Sequence, residues 1–110
     1  GSYINIKNKE FIKDAKSIGL LKEALRDSEA EVICAAATAL GEIGDISVIE
    51  SLINLLDSDN DSIRHAATKA LGSIGHPHSF QALERARADP STWVRDETEN
   101  SLRKLDERKG

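Results

Sequence analysis

Cys34, His65 and Asp96 have the side-chain types of a nucleophilic triad and follow one another at a constant spacing of 31 residues. A thiol, an imidazole and a carboxylate act together only when each link is within hydrogen-bond reach, about 3 Å. Equivalent positions on adjacent packed helices lie about 8–10 Å apart at the helix axes. Cys34 and His65 could meet at that separation, but Asp96 would be too distant. The spacing therefore predicts a polar column, with no catalytic residues and no three-ligand metal site.

A second cluster that could do chemistry consists of His76 and His78, which flank Pro77. Two histidines can bind a metal weakly, but no carboxylate or cysteine ligand lies close to them in sequence. We interpret the segment as a solvent-exposed turn. The sequence thus predicts no metal and no cofactor.

The spacing of 31 residues comes from an internal repeat. Placing residues 27–57 on residues 58–88 gives eight identities, nearly all small or apolar. They are Ala35/Ala66, Ala36/Ala67, Ala39/Ala70, Leu40/Leu71, Gly41/Gly72, Ile43/Ile74, Gly44/Gly75 and Leu52/Leu83. A fixed period of this length is typical of a stack of supersecondary units, each burying its apolar face against the next.

Each period resolves into two helices, because apolar residues recur at spacings of three and four. The predicted helices are Ala15–Arg26, Glu29–Ile43, Ile46–Leu56, Asp61–Ile74, Pro77–Ala88 and Thr92–Leu105. They form an all-α superhelix, a short right-handed solenoid of three helical hairpins over residues 14–44, 45–75 and 76–110. Residues 1–13 comprise an apparent expression-tag scar, Gly1-Ser2, and a segment that we expect to cover the N-terminal end.

Two glycines lie inside predicted helices at the same repeat position. Gly41 and Gly72 each cost a helix about 1 kcal/mol relative to alanine. Their recurrence predicts a close backbone contact that offsets the cost. In the third repeat the corresponding residue is Arg103, and Glu97-Thr98 stands where the earlier repeats have paired alanines. These polar residues predict a C-terminal cap for the stack.

Composition limits the classes of partner. The chain has 110 residues and a net charge of −4, and phosphate binding needs clustered Lys and Arg, so the charge argues against nucleic acid. No stretch of apolar residues is long enough to cross a membrane, and we predict no membrane partner. A single cysteine fits a reducing compartment, and we expect a cytoplasmic protein. The absence of Met, including a start residue, is compatible with a segment of a longer chain.

The repeat resembles a known family. Asp-x5-Arg followed by Ala-Ala-x-x-Ala-Leu-Gly-x-Ile-Gly is similar to HEAT repeats, specifically the short HEAT-like type of phycobilisome lyase-related (PBS lyase) proteins. Asp89–Arg95 shows the Asp/Arg spacing fully, and Ser58–Arg64 keeps the arginine beside Asp57 and Asp59. The first repeat departs from the pattern, since Asp27 is followed by Ile33.

The resemblance implies roles for the Asp and Arg positions. Arg64 and Arg95 are expected to bond to an aspartate of their own or a neighbouring repeat, with Asp89 completing a structural ladder between units. The alternative, a ligand-binding role for these arginines, is less favoured because their positions follow the repeat. Residues like the His-Glu metal pairs of the HEAT-like hydroxylases are absent, which disfavours that enzyme class.

The helical wheel predicts a strip of residues opposite the buried arc of the second helices. In HEAT-type stacks these helices line the concave surface, so we expect the strip to bind a partner. Its members, with Trp93 beside it, are Cys34, Thr38, His65, Thr68, Lys69, Trp93, Asp96, Glu99 and Asn100. Trp93 is either packed on the preceding loop or exposed as an interface anchor.

From the sequence we predict a non-catalytic module that acts in protein–protein interaction or as a scaffold. We expect that it is not an enzyme and that its partner is another protein. Pairing with a second copy through a repeat end is also expected, because three repeats are near the minimum for a stable stack. The alternative implied by the resemblance is a bilin lyase subunit or a lyase-like chaperone of a tetrapyrrole-carrying protein. A third reading, binding of a phosphate backbone, is disfavoured because Asp96 and Glu99 share the strip with Lys69.

Overall fold

The computed structural model describes residues 15–109. They form six helices in chain order, with no strand among them. The helices are α1 (Ala15–Ala24), α2 (Ala30–Ile43), α3 (Ile49–Leu55), α4 (Asp61–Ile74), α5 (Phe80–Ala86) and α6 (Thr92–Lys109). The expectation of an all-α fold is confirmed. The covering segment predicted at residues 1–13 lies outside the described residues.

The inner helices α2, α4 and α6 form the centre of the molecule. α4 packs against both α2 and α6, and each outer helix packs against the inner helix that follows it. The core is aliphatic and repeats with the sequence period. One column is Leu21, Leu52 and Leu83, and a second is Leu40, Leu71 and Leu102, all buried. Identical residue types at equivalent positions thus form continuous apolar columns through the stack.

The two later outer helices begin with a 3₁₀ turn, at Ile46–Val48 and Pro77–Ser79, where the sequence predicted α-helix throughout. The Asp45 carboxylate accepts a hydrogen bond from the backbone N–H of Ser47 at 2.9 Å. In the third repeat, His76 Nδ1 accepts from the backbone N–H of His78 at 3.1 Å. The side chain at the N-cap therefore binds the second residue beyond it and holds the chain in a tight turn.

Each of α2 and α4 ends at a glycine in the left-handed conformation, Gly44 with φ +79° and Gly75 with φ +69°. The Arg108 guanidinium closes the second of these ends, since it donates to the carbonyls of Ile74 at 2.9 Å and Ser73 at 3.1 Å. This contact joins the last turn of α6 to the end of α4. It explains why a basic residue follows the predicted end of the final helix.

The close approach predicted at the helical glycines is visible between inner helices. A Cβ at Gly41 would lie 2.8 Å from Ala70 Cα, and a Cβ at Gly72 would lie 2.6 Å from Ser101 Cβ. Both distances are far below ordinary contact, so only glycine fits. The inner helices are therefore packed backbone to backbone at these points, which sets the position of every side chain along their seam.

Candidate functional site

The predicted strip is divided by the packing of the inner helices. Thr38, Lys69 and the α6 residues Asp96, Glu99 and Asn100 are exposed, whereas Cys34 and His65 are half-buried at the seams between helices. Thr68 is fully buried. Its hydroxyl donates to the Arg64 carbonyl at 2.8 Å and its own carbonyl accepts from Ser101 at 2.9 Å. The expectation that Thr68 faces a partner was wrong, because this side of α4 packs against α6.

The Cys34, His65 and Asp96 column does not assemble. The Cys34 thiol donates to the Ser62 carbonyl with an Sγ–O distance of 3.4 Å. Burial raises the pKa of Cys34, so the thiol stays protonated at neutral pH and is a poor nucleophile. The polar partner of His65 is neither Cys34 nor Asp96 but Glu97, on α6. The column is three separate polar positions on three helices.

His65, Trp93 and Glu97 form the most organised polar cluster of the inner helices. The rings of His65 and Trp93 are stacked, with centroids 3.9 Å apart and planes inclined at 17°. His65 Nε2 lies 3.2 Å from Glu97 Oε1, and the two side chains are 18% and 16% exposed. Trp93 itself is 50% exposed, so it is packed on one side and open on another. The cluster joins α4 to the first turns of α6.

Burial sets the protonation of His65. Desolvation is the largest influence and lowers the pKa of His65 below its ordinary value of 6.5. Lys69 also lowers that pKa, while Glu97 and Asp61 raise it. The imidazole is accordingly neutral at pH 7 and can donate Nε2–H to the Glu97 carboxylate.

Glu97 was missed as a site residue by sequence reasoning. It occupies the repeat position of Ala35 and Ala66 and was assigned to the polar cap. The repeat also carries the signal that could have identified it. A charged residue at a position otherwise reserved for alanine is half-buried, and it lies one residue after the position equivalent to His65. Such a residue needs a polar partner on the neighbouring helix.

A second polar cluster joins the loops between repeats. Arg64 Nε donates to Asp89 Oδ2 at 2.9 Å and Arg64 Nη2 donates to Oδ1 at 3.2 Å, a two-pronged contact between the second and third repeats. Arg64 also donates to the Ser58 carbonyl, and Arg95 donates to the Asp89 carbonyl. Both arginines therefore bridge loop and helix, and their donors are used within the fold.

His76 and His78 lie at the opposite end of the inner helices. The His78 imidazole contacts the Glu50 carboxylate, and both side chains are exposed. Between residues 15 and 109 no three or more His, Cys, Asp or Glu side chains converge on a point where a metal ion could bind. None of the helices described has the length and apolar character needed to cross a membrane.

Comparison with known proteins identifies the family of the chain and contradicts the prediction of a non-catalytic module. A family model described as HEAT repeats matches residues 12–103. Deoxyhypusine hydroxylase-B of Oryza sativa is 37% identical over 92 residues, which cover 81% of this chain and 30% of that protein. The structure of human deoxyhypusine hydroxylase in complex with glycerol superposes with a TM-score of 0.80 at 26% identity, covering 87% of this chain and 34% of that one. An uncharacterized phycocyanin operon protein Z of Pseudanabaena tenuis is 36% identical over 89 residues, covering 74% of this chain and 44% of that protein.

The predictions of a non-catalytic scaffold and of no enzymatic role are contradicted, because the relatives include deoxyhypusine hydroxylases and the solved neighbour is one. The bilin lyase alternative has no support from these relatives. The sequence-based expectation that disfavoured the HEAT-like hydroxylases was also wrong. It rested on missing metal-binding pairs, whereas the chain is similar to such an enzyme over 92 residues.

The matched part of the chain spans about a third of the length of the hydroxylases. The family model, by contrast, covers nearly all of the described residues. The 31-residue period, the helical hairpins and the glycine contacts between inner helices all agree with it. The chain belongs to the HEAT-repeat family.

Proposed function

We propose that this chain takes part in an enzymatic function related to that of deoxyhypusine hydroxylase, and that its inner-helix surface around Trp93 contacts the substrate. The relationship to the rice enzyme, 37% identity across 92 residues, carries the enzymatic part of the proposal. The half-exposed Trp93 on the His65 ring supports the location.

The chemistry around Trp93 suits a cationic side chain. An indole face attracts ammonium groups, and Asp96 and Glu97 add carboxylates within the same two turns of α6. Deoxyhypusine carries amino groups that are protonated at neutral pH, so the surface and the proposed substrate are complementary in charge. Trp93 supplies the contact area, and the exposed Asp96 supplies a counter-charge.

No residue of the described part is assigned to oxygen insertion. The role proposed for Trp93, Asp96 and Glu97 is binding and orientation of a side chain presented by a protein substrate. We also propose that the repeats are of the PBS lyase-related subtype, supported by the phycocyanin operon protein, with no lyase activity attached to it. A cytoplasmic location stays a proposal supported by the single cysteine.

Calorimetric titration with two peptides of one sequence, carrying deoxyhypusine or lysine at one position, tests the proposal. We expect tighter binding of the deoxyhypusine peptide, weakened by salt and by Trp93→Ala. Phe80→Ala is the matched control, since Phe80 is a partly exposed aromatic residue outside the inner-helix strip. Equal affinity for the two peptides, or equal loss in the two variants, would overturn the assignment.

A further inference from the structure

The two seams between inner helices bring equivalent repeat positions together. Between α2 and α4, the Cys34 thiol meets the Ser62 carbonyl with an Sγ–O distance of 3.4 Å. Between α4 and α6, one period of 31 residues later, the same two positions hold His65 and Trp93, whose ring centroids are 3.9 Å apart. The meeting of these positions is therefore a property of the repeat, while the side chains that occupy them differ.

The repeats stack without aromatic or charged residues at these positions. Glu97, the third member of the cluster at the second seam, corresponds to Ala66 at the first seam. The first seam thus has a cysteine, a serine and an alanine where the second has a histidine, a tryptophan and a glutamate. Since α2 packs on α4 with the smaller set, the larger set has a role beyond joining α4 to α6.

The start of α6 fixes the backbone of Trp93. The next residue, Val94, is fully buried. The Arg95 backbone N–H donates to the Ser91 carbonyl at 3.0 Å, and the Arg95 guanidinium donates to the Asp89 carbonyl at 2.6 Å. The freedom that Trp93 retains is rotation of its side chain, because an exposed side chain on a fixed backbone can occupy several staggered rotamers.

His65 restricts that rotation. Its imidazole lies within 17° of parallel to the indole and covers one of the two indole faces. The imidazole is held in turn by Glu97, with Nε2 at 3.2 Å from Oε1 and side chains that are only 18% and 16% exposed. The other face of the indole is open, since Trp93 is half exposed. A side chain already held in one rotamer loses less conformational entropy when a ligand binds it.

We infer that His65 and Glu97 are positioning residues, which hold Trp93 so that its open face, together with Asp96, binds one ammonium group. The inference rests on the proposed function for the place of the site and adds a division of roles within it. The Glu97 carboxylate is engaged with the imidazole, whereas the Asp96 side chain, three residues after Trp93 on α6, is exposed. Glu97 therefore acts through His65, and Asp96 supplies the counter-charge.

The orientation of the indole is measured first, in the free chain. Trp93 is the only tryptophan, so the tryptophan bands of the near-ultraviolet circular dichroism spectrum report how firmly its ring is held. His65→Ala should lose most of this signal, and His65→Phe, which keeps a ring against the indole, should retain more of it. Cys34→Ala, at the equivalent position of the first seam, should leave the signal unchanged. Far-ultraviolet spectra check that every variant keeps its helices.

Binding is measured next, from the indole N–H signal in NMR titrations with the deoxyhypusine peptide and with cadaverine, an alkyl diammonium without a peptide. His65→Ala should weaken both affinities by about two- to tenfold, the range expected for loss of one aromatic pair. Glu97→Gln, whose amide oxygen can still accept from the imidazole, should restore most of the affinity that Glu97→Ala loses. Asp96→Asn should reduce the salt dependence of binding more than Glu97→Gln does.

The positioning role and the proposed function fail in different ways. An unchanged near-ultraviolet signal in His65→Ala, or equal affinity of that variant and the wild type for cadaverine, would overturn the positioning role. Affinity that is not restored by Glu97→Gln would also overturn it, because the charge of Glu97 would then contact the cation directly. Binding of cadaverine without binding of the deoxyhypusine peptide would contradict the proposed function and leave the positioning role in place. Binding of neither would overturn both.

Discussion

At the scale of single residues, one largely buried ion pair links two repeats. The Arg64 and Asp89 side chains are only 13% and 8% exposed, and their two-pronged contact joins the second and third repeats. Loss of Arg64 leaves the Asp89 carboxylate largely buried with a backbone N–H, that of Ser91 at 2.9 Å, in place of a charged partner. The pair thus constrains how the repeats stack, whatever its net contribution to stability.

Arg64→Ala should lower the free energy of unfolding by about 3–5 kcal/mol, since Asp89 would be left charged and largely buried. Urea unfolding at neutral pH measures the change. Arg87→Ala is the matched control because its partners, Glu84 and Glu99, are exposed. Such surface pairs contribute about 0–1 kcal/mol. A loss in Arg64→Ala no larger than that in Arg87→Ala would contradict the role given to Asp89.

His65 should make stability depend on pH in a defined direction. Its pKa is lowered on folding, so the unfolded chain binds the proton more tightly. The contribution of His65 is present above pH 6.5 and is lost as pH falls from that value through the folded-state pKa. We expect the melting temperature of the wild type, relative to His65→Gln, to fall across this range. A constant difference from pH 8 to pH 5 would contradict the assignment.

At the scale of elements, close packing between inner helices determines a residue that helix propensity alone would not favour. Gly72 lies inside α4, where alanine would be preferred by an isolated helix. Its missing side chain admits Ser101, whose hydroxyl donates to the Thr68 carbonyl. Gly72 is therefore unfavourable for α4 as an isolated helix, but it allows the hydrogen bond between Ser101 and Thr68 that joins α6 to α4.

Gly72→Ala should destabilise the fold by about 1–3 kcal/mol, because the added Cβ forces α4 and α6 apart. Gly19→Ala is the opposite case. Gly19 lies within α1 and a Cβ there meets nothing within 4 Å. That change should stabilise by up to about 1 kcal/mol through helix propensity alone. Thermal unfolding of both variants measures the contrast, and a stabilising Gly72→Ala would show that the seam can relax.

At the scale of the whole molecule, the central repeat connects the other two. The α4 helix packs on both α2 and α6, and the leucine columns run through all three repeats. A stack in which each unit contacts only its neighbours depends most on the unit with two neighbours.

Leu71→Ala should therefore cost about 2–5 kcal/mol, since the side chain is fully buried between the flanking inner helices. Denaturant unfolding followed by circular dichroism and by Trp93 fluorescence should keep coincident transitions. Leu20→Ala, at an exposed position of α1, should change stability by less than about 0.5 kcal/mol. Separate transitions for the two probes in the wild type would show that the repeats unfold independently.

The sequence by itself determined the helical architecture, because a period of 31 residues with identical packing residues admits few alternatives. It also determined the close approach at Gly41 and Gly72, since a costly residue that recurs in a helix must have a packing reason. Both inferences rest on the order of residue types along the chain. In a repeat fold that order is sufficient, because each unit packs mainly against the units next to it in sequence.

Only the tertiary structure decided which polar residues meet. The helical wheel places Thr68 in the same broad arc as Lys69, yet Thr68 is buried because α6 packs over it at Ser101. His65 and Glu97 are 32 positions apart in the chain and touch because two inner helices pack at that point. The helical wheel describes one helix at a time, whereas a contact across a seam depends on the rotation and separation of two helices, which side-chain packing sets.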